Sequence, residues 1–76
     1  MPSIKCECGH RICYGDIPCS DEWLMMSDTA FDKHHGQVDV DELYRAMTHV
    51  LKCPDCGWLW VYWNGFRNDP QGYRPE

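Results

Sequence analysis

The sequence predicts an α+β fold, a small antiparallel β-sheet with one α-helix packed on it. Three observations lead there. Short apolar runs are separated by Gly, Pro and Asn-Gly turns. One stretch between them carries helical capping and helical spacing. Two cysteine pairs, each followed by glycine, bracket that stretch. With 76 residues the chain makes one domain, 1–76. A hydrophobic core alone leaves so short a chain marginal.

Ser3 to Cys6 reads as a strand entering the first cysteine pair, and Arg11 to Tyr14 as the strand leaving it. Gly15-Asp16-Ile17-Pro18 is turn chemistry. Glu22 to Met26 is a compact apolar run, expected as a buried strand. Ser27 to Gln37 is polar and is expected as loop. A helix is expected from Val40 to about Lys52. Asp39 is its N-cap, Glu42 completes a capping box, and Val38 and Leu43 take the positions of a hydrophobic staple. Leu43, Ala46, Met47, Val50 and Leu51 fall on one apolar stripe, expected as core, and Pro54 prevents further extension. Trp58 to Trp63 reads as a strand apolar on both faces. Trp58, Trp60 and Tyr62 share one face, and Leu59, Val61 and Trp63 the other. Asn64-Gly65 is a hairpin-type turn, and 67–76, with its Pro and Gly, is expected as an extended tail.

Composition excludes several classes. At 43% hydrophobic the chain is no disordered tail. Its longest apolar run, Trp58 to Trp63, is far too short to span a bilayer, so no membrane role is expected. Twelve acidic against seven basic residues give a net charge of −5. That opposes general nucleic-acid binding, which needs surplus Lys and Arg to neutralise phosphates. No basic-then-apolar segment opens the chain, and the expected setting is the bacterial cytoplasm.

The six cysteines carry the strongest chemical signal. In a secreted protein they would make disulfides; in a cytoplasmic one they would hold a metal. Spacing favours the metal. In Cys53-Pro54-Asp55-Cys56-Gly57 a Cys-x-x-Cys turn sets two thiolates on one side of a tight loop. Pro54 fixes φ after the first ligand, and Gly57 permits positive φ after the second. Cys6-Glu7-Cys8-Gly9 is one spacer shorter, and a direct Cys6–Cys8 disulfide would be strained. Cys6, Cys8, Cys53 and Cys56 are therefore expected to bind one structural Zn²⁺ tetrahedrally. Iron, as in a rubredoxin-like electron carrier, is the lesser alternative. Cys13 and Cys19 are core residues or free thiols, or join His34 and His35 in a second site, or His10 substitutes for one cysteine of the first pair. His49 is expected near the helix C-terminus, where a positive charge is favoured.

The segment Cys53-Pro54-Asp55-Cys56-Gly57 resembles a zinc-ribbon knuckle, and Cys6-Glu7-Cys8-Gly9 a variant of its partner. The chain is also similar to small bacterial proteins of this kind. The chain departs from the usual ribbon in its Cys-x-Cys first knuckle and in the helix inserted between the two knuckles. The resemblance implies a zinc-binding, zinc-ribbon-like sheet. It implies no particular activity, because ribbons serve in transcription, translation, enzymes and adaptors alike.

Function is expected at the surface. From Asp16 to Glu42 the acids Asp16, Asp21, Glu22, Asp28, Asp32, Asp39, Asp41 and Glu42 meet one base, Lys33. A four-thiolate zinc centre adds roughly two negative charges more. Such a surface steers towards a basic protein, and Trp and Tyr are the usual interface anchors. The expected partner-binding set is Asp16, Asp21, Glu22, Asp28, Asp32, Trp60 and Tyr62. The reading is a zinc-stabilised, non-enzymatic protein-binding module, in its concrete form an acidic immunity protein or inhibitor of a basic toxin or nuclease. A nucleic-acid-associated zinc ribbon is the alternative. Catalysis is not expected, since four cysteines close the metal site and no catalytic triad, phosphate loop or His-Glu-x-x-His motif is present.

Overall fold

A computed structural model describes residues 2–76. Its elements are β1 (Ser3–Lys5), β2 (Arg11–Cys13), β3 (Glu22–Met25), α1 (Asp28–Phe31), α2 (Val40–Ala46), β4 (Thr48–Lys52), β5 (Leu59–Tyr62) and β6 (Gln71–Tyr73). They form two antiparallel sheets: the β1–β2 hairpin, and a four-stranded sheet in the order β3-β4-β5-β6. The α+β class therefore stands.

The layer covering the sheet differs from expectation. Ile12, fully buried, packs with Cys6 against Leu51, Cys53 and Tyr62 of the larger sheet. Ile4, Tyr14, Trp58 and Trp60 close around this cluster. The covering layer is thus a hairpin. Neither helix buries a residue.

The expected helix starts where its cap predicts and ends early. The Asp39 carboxylate accepts from the Asp41 N–H at 2.9 Å, and α2 opens at Val40. The staple does not close over it, as Val38 stays exposed. At Met47 the backbone turns extended (φ −87°, ψ 152°), and Thr48–Lys52 becomes β4, an inner strand of the sheet. The reason lies in Val50 and Leu51. A helix sets adjacent residues on neighbouring parts of one stripe, whereas a strand sends them to opposite faces. With strands on both sides, β4 buries both, at 5% and 0% exposure. Pairing with two neighbours overrides the capping and spacing that favour continued helix.

Three further expectations change. Trp23 and Leu24 of β3 are exposed, because β3 is an edge strand with no layer on its outer side. The segment expected as loop holds α1, whose N-cap Ser27 accepts from the Ala30 N–H. The expected tail carries β6, whose Gly72 pairs with Trp60 and Tyr73 with Leu59.

Truncating the core tests this layering. Leu51→Ala should cost about 2–5 kcal/mol in denaturant unfolding, since Leu51 is fully buried. Val40→Ala, at 75% exposure, should stay within about 0.5 kcal/mol.

Candidate metal centre

Both cysteine pairs sit at hairpin tips. In β1–β2 the Cys6 N–H donates to His10 O (2.8 Å) and the Gly9 N–H to Cys6 O (2.9 Å). In β4–β5 the Cys53 N–H donates to Trp58 O (2.9 Å) and the Gly57 N–H to Cys53 O (3.1 Å). Gly9 and Gly57 take φ of +96° and +82°. Side chains with a Cβ avoid that region, so glycine after the second cysteine lets each tip turn back.

The tips meet. Cys6 Sγ lies 3.4 Å from Cys56 Sγ, and Cys8 Sγ 3.6 Å from Cys53 Sγ. All four sulfurs fall within 4.8 Å of one another. Four sulfurs around one ion with bonds near 2.3 Å stand about 3.8 Å apart, so the spacing is compatible with one bound tetrahedral ion. A further tie joins the tips, with His10 Nδ1 2.9 Å from Asp55 Oδ2. His10 is thereby engaged beside the cluster instead of replacing a cysteine in it. None of the cysteines is in a disulfide.

The electrostatics of the cluster favour a cation. Burial works against ionising Cys6, yet the Cys8 backbone N–H, the Trp60 indole and the thiols of Cys56 and Cys53 bring its pKa down from 9.0 to about 7. For Cys56, burial raises the pKa, the Trp58 N–H opposes this, and the sulfurs of Cys6, Cys8 and Cys53 push it up to about 12. Cys8 receives the His10 N–H, but burial and the sulfurs of Cys53 and Cys6 leave it above 9.0. One thiolate is welcome here and four are not, unless a positive ion shares their charge. Backbone N–H groups aimed at sulfurs are the usual support of thiolate ligation.

The other sequence candidates separate. Cys13 is exposed, and the half-buried Cys19 places its Sγ 3.6 Å from Cys13 O. Among the described residues neither joins His34 or His35 in a second cluster of three or more ligands. His49 lies on β4, its ring between Tyr44 and Phe66, with Nδ1 3.0 Å from Glu22 Oε2. Glu22 is thus engaged internally. Asp16, Asp28 and Asp32 are exposed and Asp21 is half-buried. Tyr62, at 3% exposure, is core and carries no surface, and the half-buried Trp60 packs on the same cluster. Both point inward because the hairpin covers their face of β5. The uncovered face instead shows Trp23, Leu59, Trp63 and Tyr73. The alternation of β5 placed Leu59 and Trp63 there; nothing local to β3 announced Trp23.

Fold and donor set together define a small α+β domain whose two hairpin tips gather four thiols. Residues 2–76 match the family model described as a domain of unknown function (DUF8617), and the chain belongs to that family. No curated protein and no solved structure matches the chain. No helix among the described residues is long and apolar enough to cross a membrane.

Elemental analysis should find one metal ion per chain, lost in Cys56→Ser and retained in Cys13→Ser and Cys19→Ser. Chelation should unfold the protein, because metal binding in such domains is of order 10 kcal/mol of folding free energy. An unchanged far-UV spectrum in strong chelator would contradict this. The sign with pH follows from the thiols. Metal ligands must be deprotonated, so the stabilisation is present at neutral pH and is lost as protons displace the ion on acidification.

Proposed function

We propose that this protein is a zinc-stabilised, non-enzymatic protein-binding module of the reducing cytoplasm. Its concrete form is an acidic inhibitor or immunity protein that blocks a basic toxin or nuclease. Zinc is favoured because four thiolates at ribbon-type turns are its usual structural site. A four-thiolate ion keeps no position for water, which supports a structural over a catalytic role. Reduced cysteines suit the cytoplasm.

The uncovered face of the larger sheet carries the binding reading. Trp23 is 58% and Trp63 53% exposed, and Leu59 and Tyr73 lie on the same face above the buried Val50 and Val61. A groove of about 600 Å³ runs there, lined by Trp23, Met25, Val50, Leu59 and Pro75. Exposed aromatics on a rigid sheet are the usual anchors of protein interfaces. The exposed Asp16, Asp28 and Asp32 supply the charge that draws a basic partner.

The test is capture of a partner from the protein's own cell, then reconstitution from purified components. A basic protein is expected, bound more weakly as salt rises. Trp23→Ala should weaken the complex by about 2 kcal/mol, and Asp28→Lys with Asp32→Lys should slow association. Binding that survives all three substitutions would overturn the surface assignment. A gel shift with RNA or DNA and no protein partner would favour the nucleic-acid ribbon instead.

A further inference from the structure

Against the buried cluster lies a buried indole N–H with no hydrogen-bond partner, Trp60 Nε1. Buried donors are almost always paired, so an orphan inside a core calls for a physical account. Trp60 packs against the buried cluster that contains Cys6 and Cys53. A thiolate sulfur is large, soft and charged, and accepts from a donor that no oxygen satisfies.

The ring is held by shape. Gly72 faces Trp60 across the β5–β6 ladder. A Cβ at position 72 would stand 2.7 Å from Trp60 Cζ3 and 2.9 Å from Trp58 Cζ3. The two indoles stack at 5.2 Å in the space that glycine leaves open. Here glycine serves close approach and not positive φ.

We propose that Trp60 is a positioning residue of the metal centre, donating its Nε1–H to Cys6 Sγ and drawing electron density from that ligand, with Gly72 fixing the ring. The proposal rests on the four-cysteine metal reading. Carbon–carbon packing alone would be met equally by phenylalanine; the N–H would not. Removing it leaves the sulfur more electron-rich and one buried thiolate less compensated.

The experiment compares wild type, Trp60→Phe and Tyr62→Phe, each loaded with Co²⁺ or Zn²⁺. Tyr62 neighbours Trp60 on the same face of β5 and also carries a buried polar atom without a partner, so its variant controls for loss of an unpaired buried polar group that is not aimed at the cysteines. In Trp60→Phe the sulfur-to-cobalt charge-transfer band should move to lower energy. Zinc affinity against a chromophoric chelator should fall about 10-fold or more. Tyr62→Phe should leave band and affinity unchanged. In Cd²⁺-loaded wild type, nitrogen-15 spectra should show one indole proton coupled to the metal through sulfur. Should Trp60→Phe not fold, Gly72→Ala displaces the ring with the indole intact and should weaken that coupling.

Band and affinity equal in Trp60→Phe and wild type, or no indole coupling, would overturn the proposal and leave the metal centre standing. A wild type that binds no Zn²⁺, Co²⁺ or Cd²⁺ would overturn both.

Discussion

Four cysteine sulfurs share one small volume, and the rest of the structure depends on keeping them there. Thiols at 3.4 and 3.6 Å separation cannot all ionise unaided, and ionised they cannot stay together without a counter-charge. A divalent ion resolves both conditions at once. Around that point the chain places what a thiolate cluster needs. Backbone N–H groups of Cys8, His10 and Trp58 face sulfurs, and the His10–Asp55 contact ties one tip to the other. The two tips are far apart in sequence. Holding them together costs loop-closure entropy that a core of seven buried residues among those described is poorly placed to offset alone.

The metal centre and the core are one object. Cys6 and Cys53, at 2% and 1% exposure, belong to the same buried cluster as Ile12, Leu51 and Tyr62. The β1–β2 hairpin is short, and its inner face is little more than Ile4, Ile12 and Tyr14. Two-stranded hairpins are marginal by themselves. Packing of the hairpin on the sheet brings the sulfurs into range, and an ion held there would in turn fix the hairpin on the sheet. Each contact supports the other, which is why loss of metal is expected to cost the fold.

What was legible in the sequence was what is decided locally. The Cys-Gly pairs specify their own tight turns, so all four candidate ligands are visible from spacing alone. The N-cap Asp39 likewise announces the start of α2. What was not legible was decided by neighbours distant in sequence. Thr48–Lys52 continues a good helical stripe, and only pairing with β3 and β5 makes it a strand. Trp60 and Tyr62 read as surface anchors while the layer over them was unassigned; a hairpin from the other end of the chain buries them. Gly72 looks like tail flexibility, yet it is the hole into which two indoles stack.

The same geometry separates the two features on which the proposed protein-binding reading rests. The aromatic groups that remain outside, Trp23, Leu59, Trp63 and Tyr73, lie on the face of the sheet opposite the hairpin. Several exposed carboxylates lie elsewhere in the chain, in the loop before β3 and on or beside α1. Charge acts over about a Debye length, near 8 Å at physiological salt, and mainly sets how fast partners meet. Buried aromatic contact sets how long they stay. With the hairpin committed to the metal centre, one face of the sheet is left free, because the core has no second layer to give it. A chain this short cannot cover both faces of a four-stranded sheet. On the proposed protein-binding reading, the surface left exposed is therefore the one that would meet the partner.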